Sequence, residues 1–171
     1  MPTLILMRHA KAVRENEAPS DRARELTQRG QREAANAAFA MRDQNLAPSV
    51  VRASSAVRTV ETAAIVGAAI APDVEGQFVD TLYLAAAGTI WREALRGATA
   101  PESTILMVGH NPGMHELVAR LVERSGDRSA LARGFLNDMP TASWVAFDVE
   151  GGDIESSGAR LVGGWMADRN V

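Results

Sequence analysis

The chain contains no cysteine among its 171 residues. That excludes disulfides, thiolate metal sites and a cysteine nucleophile. It also suits a reducing compartment, so a cytoplasmic location is expected. Aromatic residues are scarce, at 5%, and Trp91, Trp144 and Trp165 read as packing residues rather than a binding platform. No excess of basic charge is present: the net charge is −3. General binding to nucleic acid or to an anionic membrane is therefore not expected, although a local basic pocket stays open. No apolar run is long enough to cross a bilayer. The apolar N-terminal run is short and lacks a basic start, so no signal peptide is expected.

What is present is a globular composition, 46% hydrophobic and 23% charged, at a length that suits one domain, residues 1–171, with a real core. Residues 3–7 read as a short buried strand. Residues 10–25 are polar and read as a long loop, a length often associated with function. Thr27 caps a helix running to about residue 44, with Gly30 an unexplained weak spot in its first turn. Residues 49–53 form a second strand. Ser54 or Ser55 caps the next helix, in which Val57, Val60, Ala64 and Val66 form an apolar stripe. Residues 77–80 suggest a short strand and residues 89–96 a helix. Residues 104–108 are a third apolar strand, and Pro112 suits the first turn of the helix after it. Residues 128–140 read as irregular. Residues 142–149 and 159–166 are the last strands, joined without a helix.

Strands that alternate with helices and run continuously apolar indicate an α/β fold with a mainly parallel sheet. The last two strands would add an antiparallel edge. In such sheets ligands bind outside the carboxyl ends of the strands. Three polar clusters fall there: Arg8-His9, then Ser54, Ser55 and Arg58, then Gly109-His110-Asn111. Alone, each reads as an ordinary strand end. Together they bring two histidines, two arginines and helix N-termini to one edge. Arginine forks match phosphate oxygens, and helix N-termini favour anions. A histidine with one free ring nitrogen can attack phosphorus. His115 lies five residues from His110, not the four that stack two ligands on one face, and reads as a helix residue.

These same segments carry a resemblance. "LMRHAKA" resembles the Arg-His-Gly signature of the histidine phosphatase (phosphoglycerate mutase-like) superfamily. "ASSAVRTVETA" is similar to its Ser-Pro-x-x-Arg-Thr-x-x-Thr segment, and "VGHNPGM" to its second-histidine segment. "DRARELTQRGQREA", "TLYLA" and "MPTAS" resemble the SixA-like phosphohistidine phosphatase branch. The resemblance implies a three-layer α/β/α sandwich, with His9 as the nucleophile that becomes phosphorylated. It implies that Arg8, Arg58 and His110 bind the phosphoryl group, with Arg24 a candidate further anion ligand. It implies no metal and no organic cofactor. Two positions depart from the pattern: Ala10 replaces the usual glycine, which suits the loop only if φ is negative there, and Ser55 replaces proline.

Larger members use a carboxyl group to protonate an alcohol leaving group, and here the candidates are Asp21 and Asp80. Asp21 is equally placed to pair with Arg24, and Asp80 to end a strand. A phosphohistidine protonated on its ring leaves as neutral imidazole, so a missing acid fits that substrate. The expected partner is a phosphohistidine protein or a small phosphorylated metabolite. The expected function is hydrolysis of protein phosphohistidine through phospho-His9. A phosphomonoester phosphatase or mutase is the alternative within the superfamily. A non-catalytic phosphate-binding module is the alternative of another class. A metal hydrolase using His9 and His110 is disfavoured, because the arginines would oppose a cation.

Overall fold

Side chains alternate across the first strand. Leu4 and Leu6 enter one apolar cluster, Ile5 and Met7 the other. Ile105 and Met107 against Leu106 and Val108 repeat the division. A strand buried on both faces needs a helical layer on each side, and the chain supplies both. The structure, a computed structural model, describes residues 1–168. Its elements are β1 (Thr3–Arg8), α1 (Gln28–Asp43), β2 (Val50–Ser54), α2 (Val57–Ile70), β3 (Gly76–Val79), α3 (Ala87–Gly97), β4 (Thr104–Gly109), α4 (Gly113–Ser125), α5 (Ala130–Asn137), β5 (Trp144–Val149) and β6 (Ala159–Trp165). Single 3-10 turns stand at Glu15–Glu17 and Asp80–Leu82.

The six strands form one sheet in the order β3-β2-β4-β1-β5-β6. Strands β1 to β4 pair parallel, and β5 and β6 pair antiparallel at one edge. Helices α1 and α2 pack on one face through Ala34, Ala37, Ala38, Met41, Ala63 and Val66. Helices α3, α4 and α5 cover the other through Trp91, Leu117, Leu121 and Phe135. This is the three-layer α/β/α sandwich expected.

Several local expectations are corrected. Residues 130–137 are helical, with Ser129 Oγ accepting from Ala132 N. Neither Ser54 nor Ser55 caps α2, whose N-cap is Ala56. Of the expected α2 stripe only Val66 is buried: Val57 and Val60 are half-buried, Ala64 is exposed, and Arg58, Thr59, Thr62, Ala63 and Gly67 share the inward face with Val66. Polar residues occupy that face because its first turn abuts a polar site. Pro112 is the N-cap of α4 rather than its first residue. Thr27 does cap α1, its Oγ1 accepting from Gly30 N at 3.0 Å. Gly30 also acquires a reason: a Cβ there would lie 2.0 Å from the Lys11 carbonyl oxygen. The absent side chain lets α1 sit directly on the loop that follows β1.

Candidate active site

Strand register builds the site. Arg8 of β1 stands opposite Gly109 of β4, so the next residues, His9 and His110, leave adjacent strands at the same level. His9 N donates to Gly109 O at 3.0 Å. Their rings lie 5.4 Å apart, centroid to centroid. On the other side of β4, Ala53 of β2 pairs with Val108, which brings Ser54 and the first turn of α2 alongside. A cleft of about 470 Å³ opens there. Arg8, His9, Asp21, Arg24, Arg58 and His110 all line it.

The tautomers follow from fixed partners. His9 Nδ1 is 2.8 Å from Ala10 O, an acceptor, so Nδ1 carries the proton. Nε2 then keeps its lone pair and makes no hydrogen bond to the described residues. Burial lowers the His9 pKa to about 3; the bond to Ala10 opposes this, and His110, Arg58 and Arg8 reinforce it. His9 is thus neutral near pH 7, the form a nucleophile requires. Ala10 is fully buried and lies outside the left-handed region. Its N–H donates to Thr62 Oγ1 at 3.0 Å. Alanine therefore serves where glycine is usual.

His110 Nδ1 lies 3.3 Å from Arg58 Nη2. Arginine only donates, so the proton of neutral His110 sits on Nε2 and is given to Ser54 Oγ at 2.8 Å. Burial, with the charge of Arg58, lowers its pKa to about 4. Arg58 is almost wholly buried. It donates to Asp21 O at 2.6 Å and to Asp21 Oδ2 at 3.0 Å, while its buried Nε–H meets no acceptor among the described residues. A buried cation left partly unsatisfied is costly, which marks it as serving something other than packing. Arg8 Nη1 donates to Met139 O at 2.9 Å, and Asn111 Nδ2 donates to the same oxygen at 3.2 Å. Ala142 N donates to the carbonyls of Arg8 and His9, so the segment before β5 fastens the end of β1.

Asp21 joins three donors: Arg58, Arg24 Nη1 at 2.9 Å and Tyr83 Oη at 2.5 Å. The Tyr83 bond and the two guanidinium groups hold its carboxyl well below the usual range. Arg24 also donates through Nε to Val13 O at 2.7 Å. Asp80 is not among the cleft residues. It is exposed, receives Arg22 at 3.1 Å and bonds Ser55, and both lower its pKa. His115 lies away from the cleft, with Nε2 2.8 Å from Phe135 O. Trp91 and Trp144 are core residues whose indoles donate to Gly152 O and Ala37 O.

Four contributors have roles that the sequence did not reveal. Ser54 orients His110 instead of capping a helix. Thr62 holds Ala10. Tyr83, the chain's one tyrosine, clamps Asp21 and sets its ring edge-on to His110 at 5.5 Å. Glu15 lines the cleft as a carboxyl outside the arginine cluster. Among the described residues, no three histidine or carboxylate side chains converge as a metal shell would require.

The model of the histidine phosphatase superfamily (branch 1) matches residues 4–83. The uncharacterized protein Rv1276c of Mycobacterium tuberculosis is 34% identical over 159 residues, covering 92% of this chain and 97% of that protein. A solved structure assigned to the phosphohistidine phosphatase SixA of Nakamurella multipartitia superposes with a TM-score of 0.76 at 29% identity, covering 96% of this chain and 95% of the other. One assigned to SixA of Agrobacterium tumefaciens gives 0.79 at 23% identity, covering 98% and 99%. The chain belongs to the histidine phosphatase superfamily, and its structural neighbours include SixA phosphohistidine phosphatases.

Proposed function

We propose that the protein is a phosphatase that works through a phosphorylated His9 and takes its phosphoryl group from protein phosphohistidine. The observation that carries this reading is the His9 Nδ1–H bond to Ala10 O, which leaves Nε2 nucleophilic among two arginines and a second histidine. In the first step the Nε2 lone pair forms a bond to phosphorus. The substrate P–N bond breaks, and its electron pair leaves on an imidazole already protonated at that ring. Arg8 and Arg58 hold the phosphoryl oxygens, with Arg24 at the rim, and His110 joins them through Nδ1–H once the charge of the bound anion protonates its ring. Water then attacks phosphorus, the P–Nε2 bond breaks, and inorganic phosphate departs.

Proton demand favours phosphohistidine over an ester. Asp21 is locked as a carboxylate between guanidinium groups and suits holding Arg58 better than donating a proton. Asp80 faces solvent. Imidazole leaves without the proton an alkoxide needs. A phosphomonoester is the second reading, and it would draw its proton from Glu15, which lines the cleft.

The test is a phosphoenzyme trap with labelled phosphohistidine protein, run beside sugar and glycerate phosphates. Label is expected on the wild type and not on His9→Ala, with turnover reduced by about 10³ or more. Full turnover by His9→Ala would overturn the nucleophile assignment. Faster hydrolysis of the esters would favour the second reading.

A further inference from the structure

Leu84 stands where folding gives a leucine no advantage. Its φ is +49°, in the left-handed region that strains a residue bearing a Cβ and that glycine adopts freely. Its side chain recovers little by packing, since the residue is 54% exposed. The flanking residues impose this conformation. Leu82 is buried in the core beneath α3. Tyr83 is pinned by its hydroxyl to Asp21 at 2.5 Å. On the far side, the Ala85 carbonyl lies so close to Gly113 that a Cβ there would approach it to 1.9 Å. A segment clamped at both ends turns its middle residue outward, to the wall of the cleft that holds His9 and His110. Strained non-glycine residues of this kind gather at functional sites.

The chemistry of the side chain selects what it meets. Among the described residues the other exposed large apolar side chains are Met1, Phe39 and Phe78, and none of them lines this cleft. An isobutyl group gains free energy by removing another apolar surface from water. A sugar or glycerate phosphate would set hydroxyls or carboxylate against it. A polypeptide sets neighbouring side chains there. We infer that Leu84 is a specificity-determining residue that contacts an apolar side chain next to the phosphohistidine of a protein substrate. This inference rests on the phosphohistidine reading above and adds to it the character of the flanking sequence.

Two synthetic phosphohistidine peptides test it, identical except for leucine or glycine flanking the modified residue. For the wild type, kcat/KM for the leucine-flanked peptide is expected to be higher by about tenfold, the scale of an apolar contact. In Leu84→Gly that ratio falls towards one, while the melting temperature holds or rises because glycine relieves the strained φ. Leu84→Ser, which keeps a Cβ, loses the preference as well. A wild-type ratio near one, or a preference that survives both substitutions, overturns the inference and leaves the phosphohistidine reading standing. If the wild type cleaves neither peptide yet forms phospho-His9 from a phosphomonoester, both fall together.

Discussion

Single atoms decide whether the two histidines can act. Each has one ring nitrogen tied to a group that fixes its tautomer: Ala10 O for His9 and Arg58 Nη2 for His110, whose Nε2–H is then left to Ser54 Oγ. Ser54 is fully buried, and its oxygen also accepts from Ala56 N. In Ser54→Ala the His110 Nε2–H loses its acceptor inside the protein. The expected cost is about 1–3 kcal/mol of stability, the penalty of a buried unsatisfied donor. Activity should fall about ten- to hundredfold, because the ring is no longer held in one orientation. Urea unfolding and the rate of phosphate release measure the two. Unchanged values for both would mean that His110 does not depend on this bond. Arg8, His9 and His110 were legible because each breaks an apolar strand abruptly at its end, and Arg58 because it follows the second strand at the start of a helix. Ser54 was not, since a serine before a helix suits a cap equally well. Nor was Tyr83, whose partner Asp21 is 62 residues away and meets it only once β2 and β4 stand side by side.

Elements place these atoms through close backbone contact as much as through side chains. Helix α1 rests on the loop after β1 where Gly30 meets the Lys11 carbonyl. That oxygen also receives Thr27 N at 2.9 Å and Thr27 Oγ1 at 3.1 Å, so the helix start and the residues beyond His9 form one unit. Alanine in place of glycine inside a helix ordinarily stabilises by about 0.5–1 kcal/mol. Here the sign should reverse. Gly30→Ala drives a methyl group into a backbone oxygen, and overpacking of this kind costs about 1–3 kcal/mol. A lower urea midpoint is expected, together with slower turnover as the loop shifts; a raised midpoint would show that the contact yields freely. The element pattern itself was largely readable, because β1 and β4 are continuous apolar runs and Thr27 and Pro112 mark the starts of α1 and α4. Helix α5 escaped because its apolar face is short, with Ala132 and Phe135 its buried residues. The α2 stripe was misplaced because Arg58 and Thr62 are buried for the site's sake, against hydrophobic periodicity.

At the scale of the whole molecule, the site makes the fold sensitive to acid. His9 and His110 are neutral in the folded protein, with pKa values lowered from 6.5 to about 3 and about 4, mainly because burial disfavours their charged forms. Between pH 6.5 and about 4 the unfolded chain therefore binds more protons than the folded one. Stability then rises with pH across that window and is lost as pH falls, by at most about 1.4 kcal/mol per pH unit for each histidine. Asp21 acts in the same direction at lower pH, since its depressed pKa favours the folded state until the carboxylate is protonated. Chemical unfolding followed from pH 7 to pH 5 should show a falling urea midpoint, before most carboxylates titrate. His9→Ala should flatten that slope by the contribution of one proton, and His110→Ala by another. An oxyanion works against the same loss, because its charge among Arg8, Arg58 and His110 favours protonated His110. Added inorganic phosphate should thus raise the midpoint in the wild type and lessen its fall towards pH 5. A slope unaltered by either substitution would place the acid sensitivity elsewhere and would mean that the two histidines titrate in the folded protein as they do in the unfolded chain.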